Sequence, residues 1–323
     1  MNTTNRNKVR LEWIDALRAL AILLVIYGHR VQPDAFTVFV NPIKMPLFFA
    51  LSGYLFHIRP GGDITFFKKT IISLIIPWLL LGLVPLILST PFKGVAHVLH
   101  SATDLFTGVI LWFMPCFIIA QIIFYYIGKL TKNHQLFTIA LAIVISATGY
   151  ILTQKGILNI FMVNIAMMVQ FYFLIGYLYK RVEKKLHPYR LWLGIALLFC
   201  YIIIGWVTYP GGSTDVHNGR FICMPISASM SIIGLLSLFL LASCIRKYPK
   251  YILSVGKSTL VIYMLDRYVL IPFVHFYNFD NPPGSPYLIL LVALIYAVYS
   301  STINTIIAKI LNKYLPIATG GRG

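Results

Sequence analysis

The stretch WIDALRALAILLVIYGH, residues 13–29, combines an apolar helical pattern with three ionisable side chains. It approaches the length of about 20 apolar residues that a helix needs to cross a bilayer. Asp15, Arg18 and His29 interrupt it, and charged groups within a spanning helix are unfavourable unless they serve a purpose. The stretch lacks a small-residue cleavage site, so we interpret it as a retained first helix rather than a secretory signal.

The composition extends this interpretation to the whole chain. Hydrophobic residues make up 59% of the 323 residues and charged residues only 11%, whereas an ordinary soluble domain carries about 25% charged residues. The expected fold class is therefore all-α, a polytopic membrane helical bundle. We predict about ten transmembrane helices, at approximately residues 13–31, 42–57, 67–88, 108–127, 136–153, 158–179, 191–209, 221–244, 259–276 and 287–311.

The basic residues indicate how these helices are oriented. The formal net charge is +18, and Lys and Arg fall on alternate loops in a ratio of about five to one. The positive-inside rule explains this charge without a nucleic-acid partner, and it predicts that the N- and C-termini are both cytoplasmic. The densest cluster, residues 180–190, either fixes the topology near anionic lipid headgroups or binds an anionic cofactor.

No segment of linker composition separates the apolar runs, which indicates one domain. We predict a single transmembrane domain over residues 1–315 and a disordered tail over residues 316–323. The four cysteines lie within apolar runs and are expected to be small buried hydrophobes. Their spacing matches no metal site, so no metal is expected. These cysteines are Cys116, Cys200, Cys223 and Cys244.

The spacing within residues 13–29 suggests a chemical role. Arg18 and His29 are eleven residues apart, so they share one helix face, about 20° out of register and about 16 Å apart along the axis. An imidazole suits general base work on a hydroxyl, and a guanidinium suits phosphate. Acetyl-CoA entering from the cytoplasm could rest its phosphates near Arg18 and carry its acyl group toward His29. Asp15 could pair with Arg18 as a structural partner.

The alternative interpretation of these residues is purely structural. Asp15 and Arg18 would then cap the helix at the membrane interface, and His29 would reach into the opposite interface.

The same residues resemble the opening of the acyltransferase-3 family, whose signature is Arg or Lys, ten residues, then His. Three further segments resemble that family in chain order: MPLFFALSGYLF at 45–56, LWFM at 111–114 and GKSTLVIYML at 256–265. The resemblance implies a stand-alone O-acetyltransferase similar to fucose 4-O-acetylase-like proteins. Such a protein would move an acetyl group from cytoplasmic acetyl-CoA to a hydroxyl of an extracytoplasmic or lipid-linked polysaccharide. It would be a multi-pass protein of the plasma membrane.

Two positions depart from the family pattern. Lys44 and Asp266 stand where members often carry His, which leaves His29 as the only histidine at a catalytic position. Asp266 either forms a structural ion pair with Arg267 or orients His29 or the acceptor. We take His29 and Asp266 as candidate catalytic residues.

Other residues have competing interpretations. Arg18, Lys68, Lys69 and Trp112 are the candidate cofactor-binding residues, although Trp112 could instead be an interfacial anchor. Ser52 could be a nucleophile, but a small residue in a spanning helix more often permits close packing. The polar loop at 211–220 either contacts a glycan or connects two helices.

Two other function classes remain open at this stage. In a transporter or flippase of a glycan precursor, the intramembrane charges would form a substrate or coupling-ion path. A non-catalytic partner of a polysaccharide assembly machine would not bind acyl-CoA.

Overall fold

The computed structural model describes residues 11–29, 34–58, 62–88, 94–132, 134–209, 214–219, 224–274 and 285–321. Nearly all of these residues are helical, and they contain no β-strand. The α-helices are α1 Glu12–Gly28, α2 Asp34–Lys44, α3 Pro46–Leu55, α4 Gly62–Thr70, α5 Ile76–Leu88, α6 Val95–Thr107, α7 Phe113–Leu130, α8 Gln135–Gln154, α9 Val163–Met168, α10 Gln170–Leu186, α11 Arg190–Thr208, α12 Met224–Cys244, α13 Lys250–Lys257, α14 Thr259–Val274 and α15 Pro286–Tyr314.

The all-α polytopic bundle predicted from the sequence is confirmed. In the described part of the chain, seven helices are long and apolar enough to cross a membrane: Phe36–Leu55, Gly62–Val84, Phe113–Leu130, Gln135–Gln154, Gln170–Thr208, Pro225–Cys244 and Tyr287–Tyr314. The runs predicted at 158–179 and 191–209 meet in one continuous stretch, and α1 and α14 are helical but shorter than 18 residues. The count of ten and the cytoplasmic termini stay predictions.

Helix α1 lies at the centre of the bundle. It packs against α13, α14 and α15, which come from the other end of the chain. Ala19, Ala21, Ile22 and Ile26 on α1 are fully buried. The backbone of α13 packs closely against the start of α1. A Cβ on Gly256 of α13 would lie only 1.9 Å from the Asp15 carbonyl oxygen, so only glycine fits there. The central position of α1 allows residues from several helices to reach its side chains.

A second close contact joins α3 to α10. A Cβ on Gly53 would lie 1.9 Å from the Phe173 carbonyl oxygen, and one on Gly176 would lie 1.8 Å from the Ala50 carbonyl oxygen. Small residues let helix backbones approach this closely, and lipid provides little hydrophobic driving force to replace such packing. The backbone contact fixes α3, whose Phe48 and Ser52 face the site described below.

The C-terminal segment differs from the expected disordered tail. Residues Pro316–Thr319 form a 3-10 helix in which Ala318 and Thr319 are buried. The Thr319 hydroxyl bonds to Asn312 and to the Pro316 carbonyl oxygen. These contacts satisfy polar groups that composition alone would leave to solvent; residues 322–323 lie outside the described part.

The cysteines divide into different environments. Cys116 is buried, as expected, and Cys244 is partly buried. Cys200 is exposed because it lies on the outward apolar side of α11, together with Phe199 and Ile203. Cys223 lies outside the described residues.

Candidate active site

Two cavities lie along α1. The first, which we call the Arg18 cavity, has a volume of about 250 Å³. The second, which we call the His29 cavity, has a volume of about 210 Å³. The residues that line the Arg18 cavity include Arg18, Phe48, Ser52, His57, Lys69, Phe113, Phe117 and Tyr263; those that line the His29 cavity include His29, Asn41, Lys44, Trp112, Asp215, His217 and Tyr263.

Tyr263 on α14 lines both cavities. Its hydroxyl accepts a hydrogen bond from the backbone N–H of Phe113 at 3.2 Å. The two rings also pack edge to face, with centroids 5.4 Å apart. Tyr263 and Phe113 therefore form a wall between a cavity that contains Arg18 and a cavity that contains His29.

His29 faces a buried carboxylate. Its Nδ1 lies 3.4 Å from Oδ2 of Asp266 on α14, and its side chain is 48% exposed while that of Asp266 is 4% exposed. A carboxylate at Nδ1 favours the tautomer with the proton on that nitrogen. Nε2 is then the nitrogen that can accept a proton, which is the arrangement a general base requires.

Helix α15 holds Asp266 in place. Oδ1 of Asp266 accepts hydrogen bonds from the Ser300 hydroxyl at 2.5 Å and from the Tyr296 hydroxyl at 2.9 Å. Asn304 Nδ2 donates in turn to the Ser300 oxygen at 3.2 Å. Both donors to Asp266 are fully buried. A buried carboxylate needs such partners to remain ionised at an acceptable cost.

The structure shows which groups the Asp266 carboxylate contacts. Arg267 is exposed, and no ion pair joins it to the neighbouring aspartate. The Asp266 carboxylate is instead directed at His29, Tyr296 and Ser300. Adjacent helical residues project about 100° apart, so a carboxylate facing the bundle centre leaves its neighbour facing outward.

The candidate cofactor-binding residues do not all line the same cavity. Arg18 and Lys69 line the Arg18 cavity, and Lys68 is exposed and does not line it. Trp112 lies in the His29 cavity, where its ring stacks on His217 with centroids 4.7 Å apart. Asp15 lies beside Arg18, with Oδ1 and Nη1 3.5 Å apart.

Ser52 and the polar loop are placed by their contacts. The Ser52 hydroxyl donates to the Phe48 carbonyl oxygen at 3.0 Å, so it is bonded to its own helix rather than to a base.

In the loop, His217 and Asp215 line the His29 cavity. Burial lowers the pKa of His217 against the opposing influence of the Asp215 carboxylate.

Sequence reasoning missed Tyr296, Ser300 and Tyr263. The available signal was weak: Tyr296, Ser300 and Asn304 recur at intervals of four, which places them on one face of α15. A polar stripe on an apolar helix indicates a buried polar partner. Nothing in the sequence identifies Asp266 as that partner.

The site therefore combines a half-exposed histidine, His29, held by the buried Asp266 carboxylate beside one cavity, with Arg18 beside the next. The family model described as an acyltransferase domain matches residues 11–306, which contain all of these groups. The chain belongs to this family, acyltransferase-3, and is a multi-pass membrane acyltransferase. Neither the curated proteins nor the solved structures contain a match to it.

Proposed function

We propose that this protein is an O-acetyltransferase of the plasma membrane. It moves an acetyl group from cytoplasmic acetyl-CoA to a hydroxyl of an extracytoplasmic or lipid-linked polysaccharide. The observation that carries the proposal is that Arg18 and His29 line two successive cavities along one helix, with Tyr263 as their common wall.

The donor fits the Arg18 cavity. The Arg18 guanidinium is 26% exposed and is held by Asp15, so it can present paired donors to a phosphate. Lys69 adds a second cation on the same cavity. Phe48, Phe113 and Phe117 add apolar rings to the lining of the same cavity, and these suit the acyl end of the molecule. In this proposal the phosphates bind at Arg18 and Lys69, and the thioester lies toward Tyr263.

The acceptor fits the His29 cavity. Nε2 of His29 removes the proton from the acceptor hydroxyl, and the oxygen attacks the thioester carbonyl carbon. The new C–O ester bond forms as the C–S bond breaks, and the coenzyme A thiolate leaves and takes up a proton. Asp266 stabilises the imidazolium that exists between these proton transfers. Tyr263 marks where the acyl group of one cavity meets the hydroxyl of the other.

Reconstitution tests the proposal. Purified protein in lipid nanodiscs would receive acetyl-CoA labelled in its acetyl group and lipid-linked glycans extracted from the host membrane. We expect base-labile acetyl label on the glycan and free thiol from coenzyme A in equal amounts. His29→Gln should lose both products, whereas His187→Gln, at an exposed histidine, should retain them.

The alternative function, a flippase of a glycan precursor, predicts a different outcome in proteoliposomes. If proteoliposomes carry the glycan precursor across the bilayer while the label stays on coenzyme A, the protein is a flippase and the proposal is wrong.

A further inference from the structure

The ammonium group of Lys44 occupies an unusual position beside His29. Lys44 is the last residue of α2 and is half-buried. It lines the His29 cavity together with Asn41. Its Nζ lies over Gly28, where an added Cβ would be 2.9 Å away. Glycine at this position therefore leaves room for a cation next to the candidate base.

The described residues offer this cation no direct partner. Within the part of the chain that the structure describes, Lys44 makes neither a hydrogen bond nor an ion pair. Asp215 acts on it electrostatically without forming an ion pair with it. A partly buried charge without a partner is unfavourable, so this arrangement favours binding of an anion.

The Asp215 carboxylate accepts hydrogen bonds from residues of its own loop. Its Oδ1 accepts from the backbone N–H groups of His217 at 3.0 Å and Asn218 at 3.3 Å. Its Oδ2 accepts from Asn218 Nδ2 at 2.6 Å. Three donors cap this carboxylate, which explains why it does not approach Lys44 more closely. The ammonium donors of Lys44 thus remain available to the cavity.

The rest of the cavity suits a sugar. Trp112 and His217 stack at 27° to each other, and aromatic surfaces of this kind pack well against the C–H face of a pyranose. Lys44 brings an ammonium group to the same cavity. The cavity combines aromatic rings with polar side chains such as Asn41 and Thr214, a mixture that suits the C–H faces and hydroxyl groups of a sugar.

We propose that the His29 cavity recognises its acceptor sugar through a negatively charged substituent, a carboxylate or a phosphate, that pairs with Lys44. The inference rests on the proposed function, which places the acceptor in this cavity. It adds the substrate class: the acylated hydroxyl belongs to an anionic sugar rather than a neutral one.

Ligand binding tests this without any acyl transfer. Saturation-transfer NMR on the purified protein in nanodiscs would compare D-glucose, D-glucuronate and D-glucose 6-phosphate at equal ionic strength. We expect at least one of the charged hexoses to bind several-fold more tightly than glucose. The hexose that binds more tightly identifies carboxylate or phosphate as the natural group.

Variants assign the effect to Lys44. Lys44→Gln should remove the preference for charged hexoses, and Lys44→Arg should keep it. Arg18→Gln is the matched control, because it removes a cation from the other cavity and should leave the preference unchanged. Thermal unfolding of each variant checks that it is folded.

Three results would overturn the inference: equal binding of glucose and the charged hexoses, no binding of any hexose, or a preference that persists in Lys44→Gln. None of these depends on acetyl-CoA turnover. Failure of the anionic-sugar inference is therefore distinguishable from failure of the proposed acetyl transfer, which the reconstituted assay measures separately.

Discussion

His29, the residue that follows α1, and Asp266 on α14 lie 237 positions apart in the sequence, yet Nδ1 of the histidine is 3.4 Å from Oδ2 of the aspartate. Tyr296 and Ser300 on α15 hold the other carboxylate oxygen. The orientation of the imidazole is thus set by two helices near the end of the chain. We therefore expect Asp266, Tyr296 and Ser300 to affect the rate of acetyl transfer although they do not contact the substrate.

Replacing the buried carboxylate should slow the reaction without weakening donor binding. We expect Asp266→Asn to lower the rate of acetyl transfer on the order of 10²-fold, because the imidazolium loses its counter-charge. Ser300→Ala should have a smaller effect, about 1 kcal/mol or roughly fivefold, since Tyr296 still donates. Initial rates over a range of acetyl-CoA concentrations separate kcat from KM.

Ser301→Ala provides the matched control for Ser300. The Ser301 hydroxyl bonds to the Val298 carbonyl oxygen and to Tyr251, away from Asp266. The rate of acetyl transfer by Ser301→Ala should equal that of the native protein. A native rate in Asp266→Asn, or a parallel rise in the KM for acetyl-CoA, would show that Asp266 does not act through His29.

Changes at Arg18 should mainly weaken donor binding. Arg18→Gln removes a charged hydrogen-bonding group from the cavity, and we expect the KM for acetyl-CoA to rise on the order of 10- to 100-fold. Arg18→Lys should recover only part of this loss, because an ammonium cannot make the paired contacts of a guanidinium. Steady-state kinetics or equilibrium binding of coenzyme A measures the effect.

The adjacent lysines provide an internal comparison. Lys69 lines the Arg18 cavity and Lys68 does not. Lys69→Gln should raise the KM for acetyl-CoA modestly, and Lys68→Gln should leave it unchanged. Equal effects at the two positions would indicate a diffuse surface field rather than a defined phosphate contact.

Removing the wall between the cavities should expose the thioester to water. We expect Tyr263→Ala to increase acetyl-CoA hydrolysis in the absence of an acceptor, because both the ring and its contact with Phe113 are lost. Tyr263→Phe keeps the ring and removes only the hydroxyl, so its hydrolysis should stay close to native. Release of free thiol without acceptor is the measurement, and no increase in Tyr263→Ala would show that the wall does not exclude water.

The close contact between α3 and α10 should not tolerate a side chain larger than that of glycine at Gly53. We expect Gly53→Ala to reduce the free energy of unfolding by about 1–3 kcal/mol, since the new methyl would meet the Phe173 backbone. Gly194→Ala is a milder control because its methyl would meet the movable side chain of Leu241. Thermal unfolding in detergent compares the two; equal transition temperatures would contradict backbone contact as the cause.

The helical fold could be predicted because bilayer-length apolar runs carry a strong local signal. Each predicted run contains helix, and the acyltransferase-3 resemblance at residues 13–29 and 45–56 led to the family that the chain belongs to. That Arg18 and His29 share one helix face stays a prediction from helix geometry. These features depend on neighbours in sequence.

The remaining parts of the site depend on contacts between distant segments. Trp112 stacks on His217 in the His29 cavity because the loop at 214–219 folds back over it, and no local pattern reports that contact. Lys68 and Lys69 are equivalent in sequence, and only the packing of α4 distinguishes them. The order at Pro316–Thr319 likewise arises from tertiary contacts that composition does not reveal.

The hydrogen bond between Tyr263 and the Phe113 backbone has a further consequence for the cell. A continuous aqueous channel through this bundle would short-circuit the electrochemical gradients that drive transport and ATP synthesis. Tyr263 lies between the two cavities, so under the proposed function the acyl group passes beside this ring while the ring excludes water and ions from the path.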